Sequence, residues 1–120
     1  MTTPKARGTQ ALEHVIFKVL RLFDDSPLVL SLHQDGYDCI SDIATMTDKE
    51  IDDLEYIQDD ISFRVIKKQR KQLKHLLYWR DWKSRQLNHF THEEWMKLTS
   101  DSFNDFCISI LPDIIRGSAT

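Results

Sequence analysis

Glycine and cysteine are both scarce in this sequence, with three and two residues in a chain of 120. Loops that cradle phosphate need several glycines at fixed spacing, a nucleophile elbow needs a glycine on either side of its serine, and neither pattern occurs here. Cys39 and Cys107 have no CxxC partner, so the sequence favours neither a zinc site nor a disulfide framework. We therefore predict a non-enzymatic protein that has no metal, no cofactor and no evident small-molecule substrate.

Long apolar runs are also missing, and none approaches the roughly 20 residues that a bilayer-spanning helix needs. Residues 1–10 are polar and lack the apolar stretch of a secretory signal. The net charge of −3 points to neither a nucleic-acid binder nor a membrane-surface protein. We expect an intracellular protein, cytoplasmic or nuclear, that does not contact a membrane.

Early in the chain, apolar residues recur at intervals of three and four, which predicts an amphipathic helix. They are Leu12, Val15, Ile16, Val19, Leu20 and Phe23. Thr9 is the predicted N-cap of this helix. Ser26 followed by Pro27 predicts the start of a second helix, because proline is tolerated at the first helical position, and Gly36 predicts its end.

The length of the chain is that of one domain with a modest core. We expect residues 1–8 to form a disordered tail, residues 9–109 a single helical domain and residues 110–120 a C-terminal tail. The apolar residues of the last segment either dock on the domain or await a partner, and the sequence does not decide between these alternatives.

A helix–cap–helix pattern occurs twice in the chain. Thr47 with Glu50 three residues later is a capping-box pattern, which satisfies two backbone donors at a helix start. The same order of residues returns 52 positions later. The matching pairs are Ile43 and Trp95, Met46 and Leu98, Thr47 and Thr99, Ile51 and Phe103, Asp53 and Asp105, and Leu54 and Phe106. The alternative to a repeated unit is two independent uses of a common capping pattern.

Between the two units, the apolar spacing predicts one long helix from about Ser62 to Leu87. Its predicted buried stripe contains Ile66, Leu73, Leu76, Leu77 and Leu87, with Gln69 and Arg70 at its flanks and Trp79 in the core. The opposite side carries what we call the basic face, which consists of Arg64, Lys67, Lys68, Lys71, Lys74, Tyr78, Trp82 and Arg85. Because no convincing β-alternation occurs, we predict an all-α fold: a compact bundle of six to seven helices, with one long central basic helix and two short helix–cap–helix units.

The charges of the chain are segregated along the sequence. Residues 35–60, the acidic segment, contain ten acidic residues and one lysine, whereas residues 64–85 contain nine basic residues and one aspartate. The basic face could therefore bind phosphates through its cations and stack bases on Tyr78 and Trp82. Two alternatives remain open: the basic helix faces the acidic segment of its own chain, or it is a solvated surface whose aromatic rings are covered.

The order of motifs along the chain carries a family resemblance. The motifs are Gly36-Tyr37 through Ile40, then Ile43, Met46, Thr47, Ile51, Asp52, Leu54 and Tyr56, then Arg70, Leu73 and Tyr78, and finally Trp95, Phe103, Asp105, Phe106, Ile108 and Ser109. From about Leu28 to Ser109 the sequence resembles the gag-like N-terminal region of copia-type retrotransposon polyproteins found in diatoms. The resemblance implies a structural or assembly role, nucleic acid as a second partner, and no catalytic residues.

Two functional hypotheses follow. The first is an interaction or assembly module that associates with itself or with a partner protein through helix faces, with Tyr78 and Trp82 as exposed anchors. The second is a module that binds single-stranded RNA or DNA on the basic face. Both hypotheses depend on the same side of the long helix.

Overall fold

The helices largely follow the apolar periodicity of the sequence, and a computed structural model describes residues 4–117. A π-helical turn, His14–Val19, continues the first helix. The helices are α1 (Pro4–Glu13), α2 (Pro27–Gln34), α3 (Ile40–Ala44), α4 (Asp48–Asp52), α5 (Lys67–Gln86), α6 (His92–Lys97), α7 (Ser100–Ser109) and α8 (Leu111–Ile115). Two strands, β1 (Glu55–Gln58) and β2 (Ile61–Arg64), lie between α4 and α5. The prediction of a mostly helical fold is confirmed, with eight α-helices among the described residues.

The β1–β2 hairpin corrects the prediction of an all-α fold. Asp59 and Asp60, with φ of 54° and 63°, occupy the two turn positions, and positive φ at both is the mark of a type I′ turn. Tyr56 pairs with Phe63 across the strands, and their rings stack with centroids 5.5 Å apart. The predicted long helix consequently begins at Lys67, five residues later than expected, because residues 61–64 pair with β1.

The first helix begins earlier than predicted. Thr9 lies inside α1, where its hydroxyl donates to the carbonyl of Lys5, so it is not the N-cap. The expectation of a disordered tail is wrong for residues 4–8, and residues 1–3 lie outside the described part of the chain. The helix packs closely on α3: Gly8 is buried, and a Cβ added there would collide with Sγ of Cys39.

The predicted apolar stripe of the first helix is confirmed except at its end. Five of its six residues are buried: Leu12, Val15, Ile16, Val19 and Leu20. Phe23 is 73% exposed, because the chain leaves the helical path at Arg21, whose φ of 56° is left-handed. The second helix begins at Pro27 and is followed by Gly36 with φ of 81°, as predicted.

The end of the described chain is not a free tail. Leu111 is buried, and α8 packs against α5 and α7. The segment expected to be a C-terminal tail therefore docks on the domain through Leu111–Ile115, whereas residues 118–120 lie outside the described part.

Candidate binding surface

The orientation of α5 is fixed by a buried glutamine at its start. Gln69 is 9% exposed, and its Oε1 accepts a hydrogen bond of 2.8 Å from the backbone N–H of Leu28, in the first turn of α2. This bond satisfies a donor that would otherwise be unpaired inside the protein. It holds the rotation of α5, so that Leu73 and Leu76 enter the core while Lys67, Lys68 and Lys71 face outwards.

The predicted buried stripe of this helix is correct in its middle and wrong at its start. Leu73 and Leu76 are buried, and Leu77 and Leu87 are half-buried. Ile66 is 48% exposed, because it is the extended N-cap residue and precedes the helix whose periodicity placed it inside. Trp79 is in the core as predicted, with its ring centroid 5.4 Å from that of Trp95.

Three cations of the basic face carry no ion pair within the described part of the chain. Lys67, Lys68 and Lys71 are exposed, and no described carboxylate lies within 4.0 Å of their ammonium groups. The charge of Lys71 also acts on His75: burial lowers the pKa of His75, and the neighbouring ammonium lowers it further. These three lysines form a cationic patch on the first turns of α5.

The other cations of the basic face are paired with carboxylates of the same chain. Lys74 Nζ lies 2.8 Å from Asp52 Oδ1, and Arg70 Nη1 lies 3.0 Å from the same oxygen. The hydrogen bond from Lys74 holds the pKa of Asp52 below its usual value against the opposing effect of desolvation, and the charges of Lys74 and Arg70 add to the lowering. Asp52 is the last residue of α4, so this pair of contacts ties the acidic segment to α5.

Two more of the predicted site residues make ion pairs that are more exposed to solvent. Arg64 Nη2 lies 3.8 Å from Asp53 Oδ1, and Arg85 Nη2 lies 2.9 Å from Asp81 Oδ2, one helical turn away. All four side chains are more than half exposed, where such pairs contribute little to stability and leave the cations able to exchange partners.

The aromatic residues of the basic face are half-buried, which differs from the expectation of exposed anchors. The ring of Trp82 packs on Phe106 of α7, with centroids 5.1 Å apart, and Tyr78 packs against the core. The cause is that α7 crosses α5 on this side. Trp82 still lines an open cleft of about 360 Å³, together with Lys83 and Lys97.

The hairpin presents a surface that the sequence analysis missed. Ile57, Ile61 and Phe63 are 60%, 56% and 41% exposed, and Ile66, two residues after the end of β2, is exposed as well. The alternation of Tyr56, Ile61, Phe63 and other apolar residues around Asp59-Asp60 was the feature that could have predicted it. Side chains alternate between the faces of a strand, so Ile61 and Phe63 lie on one face of the hairpin and Ile57 on the other. The hairpin thus exposes apolar groups on both faces, and it is followed by the lysines of α5 that have no ion pair among the described residues.

Neither a candidate metal-binding cluster nor a candidate membrane-spanning helix occurs among the described residues. No group of three or more histidine, cysteine or acidic side chains is placed to hold a metal ion within residues 4–117. Over the same residues, no helix combines the length and apolar character that crossing a membrane requires.

Comparisons with known proteins give no relative for this chain. No family model, no curated protein and no solved structure matches it.

Proposed function

We propose that this protein is a non-enzymatic, gag-like interaction module that assembles with itself or with a partner protein. The observation that carries the proposal is the concentration of exposed apolar side chains around the hairpin. Eight large apolar side chains are exposed in the described part of the chain, and half of them lie within residues 57–66. Clustered apolar exposure of this kind marks interaction surfaces, whereas isolated exposed residues need no explanation.

The binding surface differs from the helix faces that the sequence suggested. The ring of Trp82 packs on Phe106, and Lys74 forms an ion pair with Asp52. These side chains in the middle of α5 therefore already make contacts within the fold. The hairpin and the three unpaired lysines at the start of α5 have no such role. Apolar groups beside charges suit a protein partner, because the former supply affinity and the latter orient the encounter.

The proposal is tested by measuring the mass of the protein in solution over a series of concentrations and salt levels. We expect the mass to rise above that of the monomer with increasing concentration. The variant Ile61→Thr/Phe63→Thr places threonine, a residue that favours strands, at both positions but removes apolar surface, and we expect it to assemble less. The matched control is Ile115→Thr, whose side chain is 60% exposed on α8 and should not matter. A wild-type protein that stays monomeric at high concentration and low salt contradicts self-assembly.

Single-stranded nucleic acid is the second candidate partner, and the unpaired Lys67, Lys68 and Lys71 favour it. Each lysine that neutralises a phosphate of a single strand contributes about 0.7 to the salt slope of binding. Reversing all three to glutamate should therefore abolish retention of a single-stranded oligonucleotide or lower the slope by about 2.

The control for that experiment reverses three exposed lysines elsewhere, Lys5, Lys18 and Lys49. Equal loss in both triple variants would show that net charge alone matters. Absent or salt-independent binding by the wild type would remove nucleic acid as a partner.

A further inference from the structure

We propose that the outer edge of β2 pairs with the same edge of a second copy, joining two hairpins into a four-stranded antiparallel sheet. The inference rests on the proposed function, since it names one partner and one surface for the assembly. An unpaired strand edge is a template for another strand. When identical edges pair about a two-fold axis, the outward backbone N–H and C=O groups of both copies gain hydrogen-bond partners at once.

The hydrogen bonding of the hairpin shows which backbone groups point outwards. Val65 N–H donates to the carbonyl of Leu54 at 3.0 Å, so these two residues form a hydrogen-bonded pair. Bonded and non-bonded pairs alternate along an antiparallel ladder, which makes Ser62 and Arg64 members of non-bonded pairs. Their backbone N–H and C=O groups therefore face away from β1, and no described residue bonds to them.

The opposite edge of the hairpin is already closed. The carboxamide of Gln34, at the end of α2, accepts from the N–H of Ile57 at 2.6 Å and donates to its carbonyl at 2.9 Å. One side chain thus imitates a neighbouring strand at the outward-facing residue of β1. Within the described chain, the edge of β2 has no comparable cover.

The residues along the edge favour a second copy as the partner. In the register that places Ser62 opposite Ser62 of the second copy, Ile61 lies opposite Phe63, and the turn residue Asp60, which directly precedes β2, comes next to Arg64. Each of these pairs occurs twice because of the two-fold axis. Directly opposed apolar pairs and opposite charges both stabilise antiparallel strands.

Other registers that align the outward groups are less complementary. A register centred on Phe63 places Asp60 opposite Ile66 of the second copy and leaves Arg64 opposite Ser62. A register centred on Arg64 brings two like charges together, which destabilises pairing. Among these three, only the Ser62-centred register brings Asp60 next to Arg64 and pairs Ile61 with Phe63.

Cysteine cross-linking tests the register directly. Opposed residues of a hydrogen-bonded pair have Cα atoms about 5.5 Å apart, within the range that a disulfide spans. With oxidised glutathione as the oxidant, Ser62→Cys should form a covalent dimer. The matched control is Gln58→Cys, which is exposed on β1 of the same hairpin and is separated from its counterpart by the two β2 strands. Equal cross-linking of both variants, or of neither, would overturn the proposed pairing.

A proline at the same position tests the role of the edge without a cross-link. Ser62→Pro removes an N–H that does not bond to β1, so the hairpin should persist, whereas Ser62→Ala keeps that N–H. We expect the mass at high concentration to fall to that of the monomer for the proline variant only. Circular dichroism and thermal unfolding check that both variants fold.

Charge exchange provides a test whose positive outcome, assembly of the mixture only, cannot come from a folding defect; circular dichroism checks that both variants keep their fold. Asp60→Lys and Arg64→Asp should each be monomeric alone, because each places like charges opposite one another. An equimolar mixture should form a heterodimer, because every opposed pair is then of opposite sign. If the mixture stays monomeric while the wild type assembles, the pairing is wrong.

These outcomes separate this inference from the proposed function. Assembly of the wild type that Ser62→Pro does not change would leave the interaction module intact and place its contacts elsewhere. If the wild type never assembles, both the proposed edge pairing and the proposed self-association are contradicted.

Discussion

The two helix–cap–helix units use the same local design but continue in different ways. Thr47 and Thr99 both accept a hydrogen bond from the backbone N–H three residues on, and Glu50 and Ser102 return a bond to the cap. The same four positions are buried in each unit. They are Ile43, Met46, Ile51 and Leu54 in the first and Trp95, Leu98, Phe103 and Phe106 in the second.

The units diverge after the cap. In the first, α4 ends at Asp52 and the chain turns into the exposed hairpin, whereas in the second, α7 runs on to Ser109 and covers Trp82. Asp52 corresponds to Asn104, which has no charge for Arg70 or Lys74 to pair with. The comparison teaches that one capped scaffold can end in an open surface or in a closed core, depending on the residues that follow.

Removing a buried side chain at equivalent positions should have the largest effect. Ile51→Ala and Phe103→Ala each leave a cavity, and we expect each to lower the free energy of unfolding by about 3 kcal/mol. Chemical denaturation measures the difference. Ile108→Ala, at a side chain that is 67% exposed, should cost much less. A small loss at one of the two buried positions would break the equivalence of the units.

Removing the caps should have an intermediate and equal effect. Thr47→Ala and Thr99→Ala each leave backbone donors unpaired at a helix start, at a cost of about 1 kcal/mol. Thr45→Ala, an exposed threonine that is not an N-cap, is the control for both. Thermal unfolding that shows a loss for one cap only would mean that the second unit does not depend on its capping box.

Relieving the backbone strain in the turn of the hairpin should change the free energy of unfolding by a smaller amount and in the opposite direction, as a gain in stability. Asp60 adopts a φ of 63°, which glycine adopts without strain, so Asp60→Gly should raise the free energy of unfolding by about 0.5 kcal/mol. Dilute protein is required for the measurement, because the same change removes a charge from the proposed dimer edge. Asp25→Gly, at an exposed loop residue without a positive φ, should give no gain.

The smallest effect is expected from neutralising Asp52, and it should depend on pH. The folded pKa of Asp52 lies below its unfolded value, so its contribution is present at neutral pH and is lost as the pH falls through the folded value. The stability difference between wild type and Asp52→Asn should therefore disappear in acid. Asn104→Asp, the reciprocal change in the second unit, should gain nothing. A difference that does not shrink at all as the pH falls below about 3.9, the unperturbed pKa of aspartate, would contradict the ion-pair account.

Sequence reasoning recovered the elements whose determinants are close together in the chain. The capping box at Thr47, the start at Pro27 and the end at Gly36 all depend on residues within one helical turn. The hairpin was missed because its strands are four residues each and only their pairing distinguishes them from a helix start. The sequence identified the residues of the basic face, but it did not show which of their cations form ion pairs and which do not.

The sequence by itself determined the helix boundaries that rest on local caps, at Pro27, Gly36, Thr47 and Thr99, together with the segregation of charge and most of the apolar residues of the core, because these follow from local hydrogen bonds and from periodicity. The tertiary structure decided that Asp52 neutralises Lys74 and Arg70, that Phe106 covers Trp82, and that the edge of β2 stays open. Each of these depends on groups about 18 or more residues apart, or on an edge that no residue of the described part of the chain covers, and both are decided only once the elements have packed.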